Sequence, residues 1–152
     1  MTAKFPEQRI AIFPGSFDPF TRGHLDIVER GLDIFDRIIV AVGVNSSKQG
    51  ASSTADRIAA ITRAVARMSN VDVIEYTGLT VDVAKKYGAC AILSGIRSVA
   101  DFEYERNLAE LNRKISGIET VMLCADPALA ALSSSAVREL RSLGHDVSPF
   151  LP

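Results

Sequence analysis

The stretch Ile10-Ala11-Ile12-Phe13-Pro14-Gly15-Ser16-Phe17-Asp18-Pro19-Phe20-Thr21-Arg22-Gly23-His24 decides how the rest of the chain is read. A short apolar run comes first, then a turn punctuated by Gly and Pro, then an amphipathic segment reaching about Phe35. Strand, turn and helix start, in that order, mark where an open α/β sheet holds phosphates, beyond the carboxyl ends of its strands. Free backbone N–H groups and the positive end of the helix dipole both point into such a turn. Gly15 and Gly23 let backbone approach a ligand, and Pro14 and Pro19 stiffen the path. Ser16, Thr21 and His24 bring side-chain donors to one place. The plainer reading is a connection in which Thr21 caps the helix and His24 faces solvent.

Outward from that stretch, apolar runs alternate with segments of helical period. Strands are expected at 9–13, 37–44, 71–75, 89–93 and 119–123. The run Ile38 to Val44 is continuously apolar, as a strand covered on both faces must be. Helices are expected at 22–35, 54–68, about 99–115 and 134–143. Their stripes are Leu25, Val28, Leu32 and Phe35, then Ile58, Ile61, Val65 and Met68, then Tyr104, Leu108, Leu111 and Ile115. Each stripe reads as a core-facing side. Strands and helices in alternation predict right-handed crossovers and a parallel sheet. The expected fold is α/β: a single Rossmann-like, doubly wound domain over residues 1–152 with a five-stranded parallel sheet.

Length and composition agree with that scale. The chain has 152 residues, enough for a proper core, with 47% hydrophobic and 23% charged residues. A net charge of −1 provides no global field for nucleic acid, so local cations must do any anion binding. Cys90 and Cys124 form no CxxC pair, sit in apolar runs and read as buried thiols. No apolar run approaches membrane-spanning length, and Met1 to Glu7 lacks the apolar core of a signal peptide, which makes a cytoplasmic protein the expectation.

Two familiar phosphate motifs are missing. No Gly-x-Gly-x-x-Gly follows the first strand, and Gly43-Val44-Asn45-Ser46-Ser47-Lys48 lacks the second Gly and the hydroxyl after Lys that a P-loop needs. Lys48 nevertheless sits just past the second strand, on the rim that carries the first turn. Further along come Tyr76-Thr77-Gly78-Leu79-Thr80-Val81-Asp82, which a glycine turn and a helix cap also explain. The fourth strand leads into Leu93-Ser94-Gly95-Ile96-Arg97-Ser98-Val99-Ala100-Asp101-Phe102-Glu103-Tyr104-Glu105, for which a solvated salt-bridge cluster is the lesser alternative. Leu132-Ser133-Ser134-Ser135-Ala136-Val137-Arg138-Glu139 opens the last helix, where serine is a common cap. His145 lies in a Leu143-Gly144-His145-Asp146 turn and reads as structural.

Taken together, these motifs resemble the nucleotidyltransferases of the Thr/His-x-Gly-His superfamily, on Gly15 to His24. More narrowly, with the later motifs, they resemble the bacterial phosphopantetheine adenylyltransferase family. The resemblance covers nearly the whole chain. It implies adenylyl transfer from ATP to 4′-phosphopantetheine, giving dephospho-coenzyme A and pyrophosphate in coenzyme A biosynthesis. Mg²⁺ is carried by ATP rather than by a protein metal site. It implies Ser16, His24 and Lys48 as catalytic, and Ser16, Phe17, His24, Gly95, Ile96, Arg97, Glu105, Leu132, Ser133, Ser134 and Ser135 as ATP-binding. The acceptor would meet Ser16, Lys48, Thr80 and Ser94. A homohexamer with coenzyme A as feedback inhibitor is also implied, with no nucleic-acid or membrane partner.

The departures are specific. Ser94 stands where the family usually carries Arg or Lys for the acceptor phosphate, and Gln49 where a second Lys often follows Lys48. A hydroxyl donates one hydrogen bond but brings no charge. The loop Asp126 to Ala131 lacks the aromatic often found there. Two alternatives stay open: a sibling enzyme acting on nicotinamide mononucleotide or glycerol 3-phosphate, and a nucleotide- or coenzyme A-binding regulator without catalysis.

Overall fold

The computed structural model describes residues 7–44 and 52–152; Lys48 and Gln49 lie outside the described residues. The elements are β1 (Ile10–Gly15), α1 (Arg22–Gly31), β2 (Arg37–Gly43), α2 (Thr54–Ala64), β3 (Val71–Tyr76), α3 (Thr80–Lys86), β4 (Ala91–Ile96), α4 (Val99–Ser116), β5 (Glu119–Cys124) and α5 (Ser134–Ser142). The five strands form one all-parallel sheet in the order β3-β2-β1-β4-β5, the expected Rossmann-like arrangement.

Burial explains why these segments are strands. Ile38 to Val42 of β2 are all buried, because the strand is covered on both faces. On one face Phe13, Val40 and Leu93 pack with Val28 of α1 and Ile61 of α2. On the other, Ile12, Ala41 and Ile92 pack with Val81 and Ala84 of α3. No helix among the described residues is long and apolar enough to cross a membrane.

The expected helices 22–35 and 54–68 end earlier, at Gly31 and Ala64, yet their stripes persist. Leu32, Phe35, Val65 and Met68 enter the core from hydrogen-bonded turns that continue each helix. No range was expected for helix α3, although a glycine turn and a helix cap were one reading of Tyr76 to Asp82. It is 7 residues long, too short to show a period, and Leu79 at its N-cap gives no side-chain hydrogen bond.

Two expectations fail. The stripe of α4 is not core: Tyr104, Leu108, Leu111 and Ile115 are 65%, 39%, 58% and 58% exposed, and the helix buries no residue. Helix α4 rests on β4 and β5 at the sheet edge, and its apolar side turns away from them. Cys90 and Cys124 are exposed rather than buried. They sit at strand ends, just before β4 and at the close of β5, where the sheet rim meets solvent.

The sheet also dictates where a crevice opens. β1 pairs with β2 along its whole length, but with β4 only at Ala11–Ala91 and Ile12–Ile92. Beyond those pairs the carboxyl halves of β1 and β4 diverge. That is the topological switch point, at which the chain order reverses.

Candidate active site

A cavity of about 310 Å³ fills the gap between β1 and β4. Its walls come from the β1–α1 turn, the end of β4, the face of α4 carrying Asp101 and Glu105, and the start of α5.

His24 is the third residue of α1, and the helix cap fixes its ring. The Thr21 N–H donates to His24 Nδ1 at 2.9 Å, while the Thr21 hydroxyl accepts from the His24 N–H at 3.4 Å. A backbone N–H can only donate, so Nδ1 is an acceptor and the proton of the neutral ring sits on Nε2. The ring is stacked on Phe20 at 5.4 Å and meets Phe17 edge-on at 5.0 Å. Burial among these rings, helped by the Arg97 charge, lowers the His24 pKa from 6.5 to about 4. At neutral pH the group is therefore an uncharged donor through Nε2.

The turn that precedes it is held on three carbonyls. Arg57 donates to Ser16 O at 2.5 Å, Arg138 to Asp18 O at 2.6 Å and the Ser134 hydroxyl to Pro19 O at 2.8 Å. Within this grip Phe17 adopts φ 48°, in the left-handed region that non-glycine residues seldom enter. Such a residue persists only where its surroundings over-determine it. The Phe17 ring folds back over Gly15, where a Cβ would lie 2.9 Å from its Cζ. The close approach expected at Gly15 is thus made by Phe17.

Across the cavity, Gly95 leaves room for Ile27, whose Cγ1 would be 2.9 Å from an added Cβ. Arg97 is oriented by Asp101 through Nε at 2.9 Å and Nη2 at 3.3 Å, and its own N–H meets the same carboxylate at 3.0 Å. Burial raises the Glu105 pKa, opposed by the Ser94 hydroxyl and reinforced by the Asp101 charge.

The serine turn behaves differently from a simple row of free hydroxyls. Ser133 Oγ accepts from Ala136 N as the α5 cap, Ser134 Oγ donates to Pro19 O, and Ser135 Oγ accepts from Arg138. Ser133 and Ser135 keep a hydroxyl proton to donate; Ser134 does not. The N–H groups of the first turn of α5 add to them at the positive end of the helix.

The structure thus brings together Ser16, Phe17, His24, Ser94, Gly95, Arg97, Glu105, Leu132, Ser133, Ser134 and Ser135 around one cavity. Ile96 and Thr80 do not line it, and the Thr80 hydroxyl instead meets the Tyr76 hydroxyl at 3.1 Å. Sequence reasoning missed Arg57 altogether. It read Thr21 as a donor or as the helix cap; Thr21 is the cap, and its N–H also sets the His24 tautomer. The spacing from Thr21 to His24, that of a capping box, was the available signal.

The family model described as cytidylyltransferase-like matches residues 12–140, which spans every wall of this cavity and sets the class. Among individual relatives, the phosphopantetheine adenylyltransferase of Porphyromonas gingivalis is 56% identical over 146 residues, 96% of this chain and 95% of that protein. The enzymes of the same name from Geotalea daltonii and Clostridium perfringens are 47% and 41% identical, each over 95% of this chain and over 90% and 88% of their own lengths. The chain belongs to the phosphopantetheine adenylyltransferase family.

The fold has a wider kinship. The bifunctional NMN adenylyltransferase/ADP ribose pyrophosphatase of Francisella tularensis superposes with a TM-score of 0.70 at 14% identity, over 95% of this chain and 45% of that one. A second structure of that protein, complexed with AMP and a manganese ion, gives a TM-score of 0.66 at 14% identity, over 95% of this chain and 44% of that one.

Proposed function

We propose that this chain transfers the adenylyl group of ATP to 4′-phosphopantetheine, releasing pyrophosphate and forming dephospho-coenzyme A, as one catalytic domain over residues 1–152. A phosphate oxygen of the acceptor attacks the α-phosphorus in line, and the bond to the β-phosphate oxygen breaks. No covalent bond to the protein is needed. The protein must hold two polyanions together and meet the charge that develops.

One observation carries the assignment: a neutral His24, with Nδ1 occupied by the Thr21 N–H, presents Nε2–H to a cavity that the start of α5 also borders. Preorganised donors aimed at developing charge are usually the largest single contribution to such catalysis. His24 serves the transition-state oxygens, and Ser16 and Lys48 position the reacting phosphates. Phe17, Gly95, Ile96, Arg97, Glu105, Leu132 and Ser133 to Ser135 hold ATP. Ser16, Lys48, Thr80 and Ser94 face the acceptor.

Mg²⁺ enters with ATP. The metal supplies charge neutralisation on the phosphates.

The exposed stripe of α4 has a use in this reading. At about 100° per residue, Tyr104, Leu108 and Leu111 share one side of the helix next to Glu105, which lines the cavity. That side offers an apolar wall to the pantetheine arm, and a neighbouring protomer of a homohexamer covers its far end. Dephospho-coenzyme A leaves from the same cavity, coenzyme A acts there as a feedback inhibitor, and the enzyme works in the cytoplasm.

The test is pyrophosphate release from ATP and Mg²⁺ with 4′-phosphopantetheine, run beside nicotinamide mononucleotide and glycerol 3-phosphate. Turnover with phosphopantetheine alone is expected. Turnover with either rival instead would keep the chemistry and overturn the substrate. Nucleotide binding without pyrophosphate from any acceptor would make the chain a regulator.

A further inference from the structure

We propose that Arg57 is a positioning residue: it grips the Ser16 carbonyl from behind and thereby aims the Phe17 N–H into the phosphate side of the cavity. The inference rests on the reading that ATP phosphates lie against Ser16 and Phe17.

Arg57 stands in the first turns of α2 and is 7% exposed. Its Nη1 donates to Ser16 O at 2.5 Å and to Gly43 O at 3.2 Å, its Nε to Ser52 O at 3.3 Å and its Nη2 to Thr54 Oγ1 at 3.1 Å. The guanidinium does not line the cavity that holds His24. It borders a second cavity, of about 590 Å³, on the other side of the turn, and Phe17 lines both. The Ser16–Phe17 peptide is a partition between the two.

Stereochemistry then fixes the direction of the amide. The only cis bond among the described residues is Asp18–Pro19, so the Ser16–Phe17 peptide is trans. In a planar trans peptide the C=O and N–H point opposite ways. With its oxygen turned to Arg57, this peptide turns its N–H away from Arg57, towards the His24 side. Among the described residues the Phe17 N–H makes no backbone hydrogen bond that would divert it. A charged donor on the carbonyl also polarises the peptide and strengthens the N–H as an anion donor.

Electrostatics points the same way. Among the described residues no carboxylate lies within ion-pair distance of Arg57. The guanidinium hydrogen-bonds only neutral oxygens, while Asp18 and Asp56 line the second cavity beyond ion-pair distance, so an anion on the other side of the turn adds to a charge these carboxylates balance only in part.

A purely structural staple would hold Gly43, Ser52 and Ser16 together without affecting the amide's response to nucleotide. The two roles separate in ¹⁵N amide spectra of the full-length protein titrated with a non-hydrolysable ATP analogue and Mg²⁺, beside steady-state kinetics. In the unaltered protein the Phe17 amide shifts downfield on binding. Arg57→Met abolishes that shift while the Ser134 and Ser135 amides still respond. It raises KM for ATP by about tenfold or more, the scale of one charge-assisted hydrogen bond, and changes KM for the acceptor far less. Arg57→Lys, which keeps the charge and one donor, restores part of both.

A Phe17 amide that responds normally in Arg57→Met overturns the inference. So do losses that follow only the folded fraction, at unchanged KM. If Arg57→Met does not fold, Arg57→Gln takes its place, with the Phe17 shift weakened as the expected result and a normal shift overturning it. If the unaltered protein binds nucleotide with no response at Phe17, the reading of the site falls, and this inference falls with it.

Discussion

The turn between β1 and α1 and the helix α4 face each other across the same cavity, and they are built on opposite plans. The turn is over-determined: three of its carbonyls are held by Arg57, Arg138 and Ser134, its Phe17 is 4% exposed, and its histidine is locked in one tautomer by the helix cap. Helix α4 buries nothing and shows solvent a row of large apolar side chains. The first wall is finished by contacts within the chain. The second meets the cavity through Asp101 and Glu105, and its apolar row lies outside the cavity lining. Preorganisation is needed where charge develops in the transition state, because donors fixed in place cost no reorganisation there.

The largest effect is expected on the finished wall. Removing a preorganised donor typically costs on the order of 10²–10³ in kcat. His24→Ala is expected to lose that much turnover at saturating ATP, with little change in nucleotide affinity measured by calorimetry. Near-normal turnover would mean that the locked ring is a structural cap and that the contrast between the walls has no catalytic content.

Stability should divide the two regions as sharply. Ile61 is fully buried on the inner face of α2, whereas Leu111 is 58% exposed on α4. Ile61→Ala is expected to cost roughly 2–5 kcal/mol in denaturant unfolding, by loss of transfer energy and an unfilled cavity. In the dissociated protomer Leu111→Ala is expected to stay within about 0.5 kcal/mol. In the assembled protein a larger loss at Leu111 is expected, because a neighbouring protomer would cover this end of α4, and an equally small loss there would leave the row uncovered.

A smaller effect comes from proton linkage at His24. Its pKa is lowered from 6.5 to about 4 by burial first and by Arg97 second. The unfolded chain therefore takes up this proton at higher pH than the folded one. Between those two values the unfolded state binds more protons, so stability rises with pH across the window. The contribution is complete above 6.5 and is lost as pH falls towards 4. An NMR titration of the His24 ring in ligand-free protein should show its midpoint near 4, and a midpoint near 6.5 would place the ring in solvent.

Much of this was legible in the chain itself, and the failures share a cause. The β2 run announced a strand covered on both faces, since nothing else needs Ile38 to Val42 all apolar. The strand–turn–helix at Pro14 to His24 announced one wall of the cavity, because its donors are local in sequence. The α4 stripe was misread because a period of 3.6 reports that a helix has an apolar side but not what covers it. Cys90 and Cys124 were misread from apolar neighbours, although a strand end lies at the rim. Arg57 was invisible for a plainer reason. Its long-range partners are backbone carbonyls at separations of 41 and 14 residues, and any residue type supplies those.

The smallest expected effect tests where the two walls meet, at Ser94 on β4. Ser94 is buried and its hydroxyl acts on Glu105, whose carboxyl is pushed up in pKa by burial. An arginine at this position would bring the charge that the chain lacks, but it would not be free. Glu105 would compete for it as a salt-bridge partner, and the exchange would draw the carboxyl pKa back down. Ser94→Arg is therefore expected to lower KM for 4′-phosphopantetheine by only about three- to tenfold, near the scale of a partly exposed ion pair. The gain should shrink at high ionic strength, because the cavity is open and its charges are screened. A much larger gain, insensitive to salt, would show the acceptor phosphate displacing Glu105 outright. That result would make the second wall as preorganised as the first.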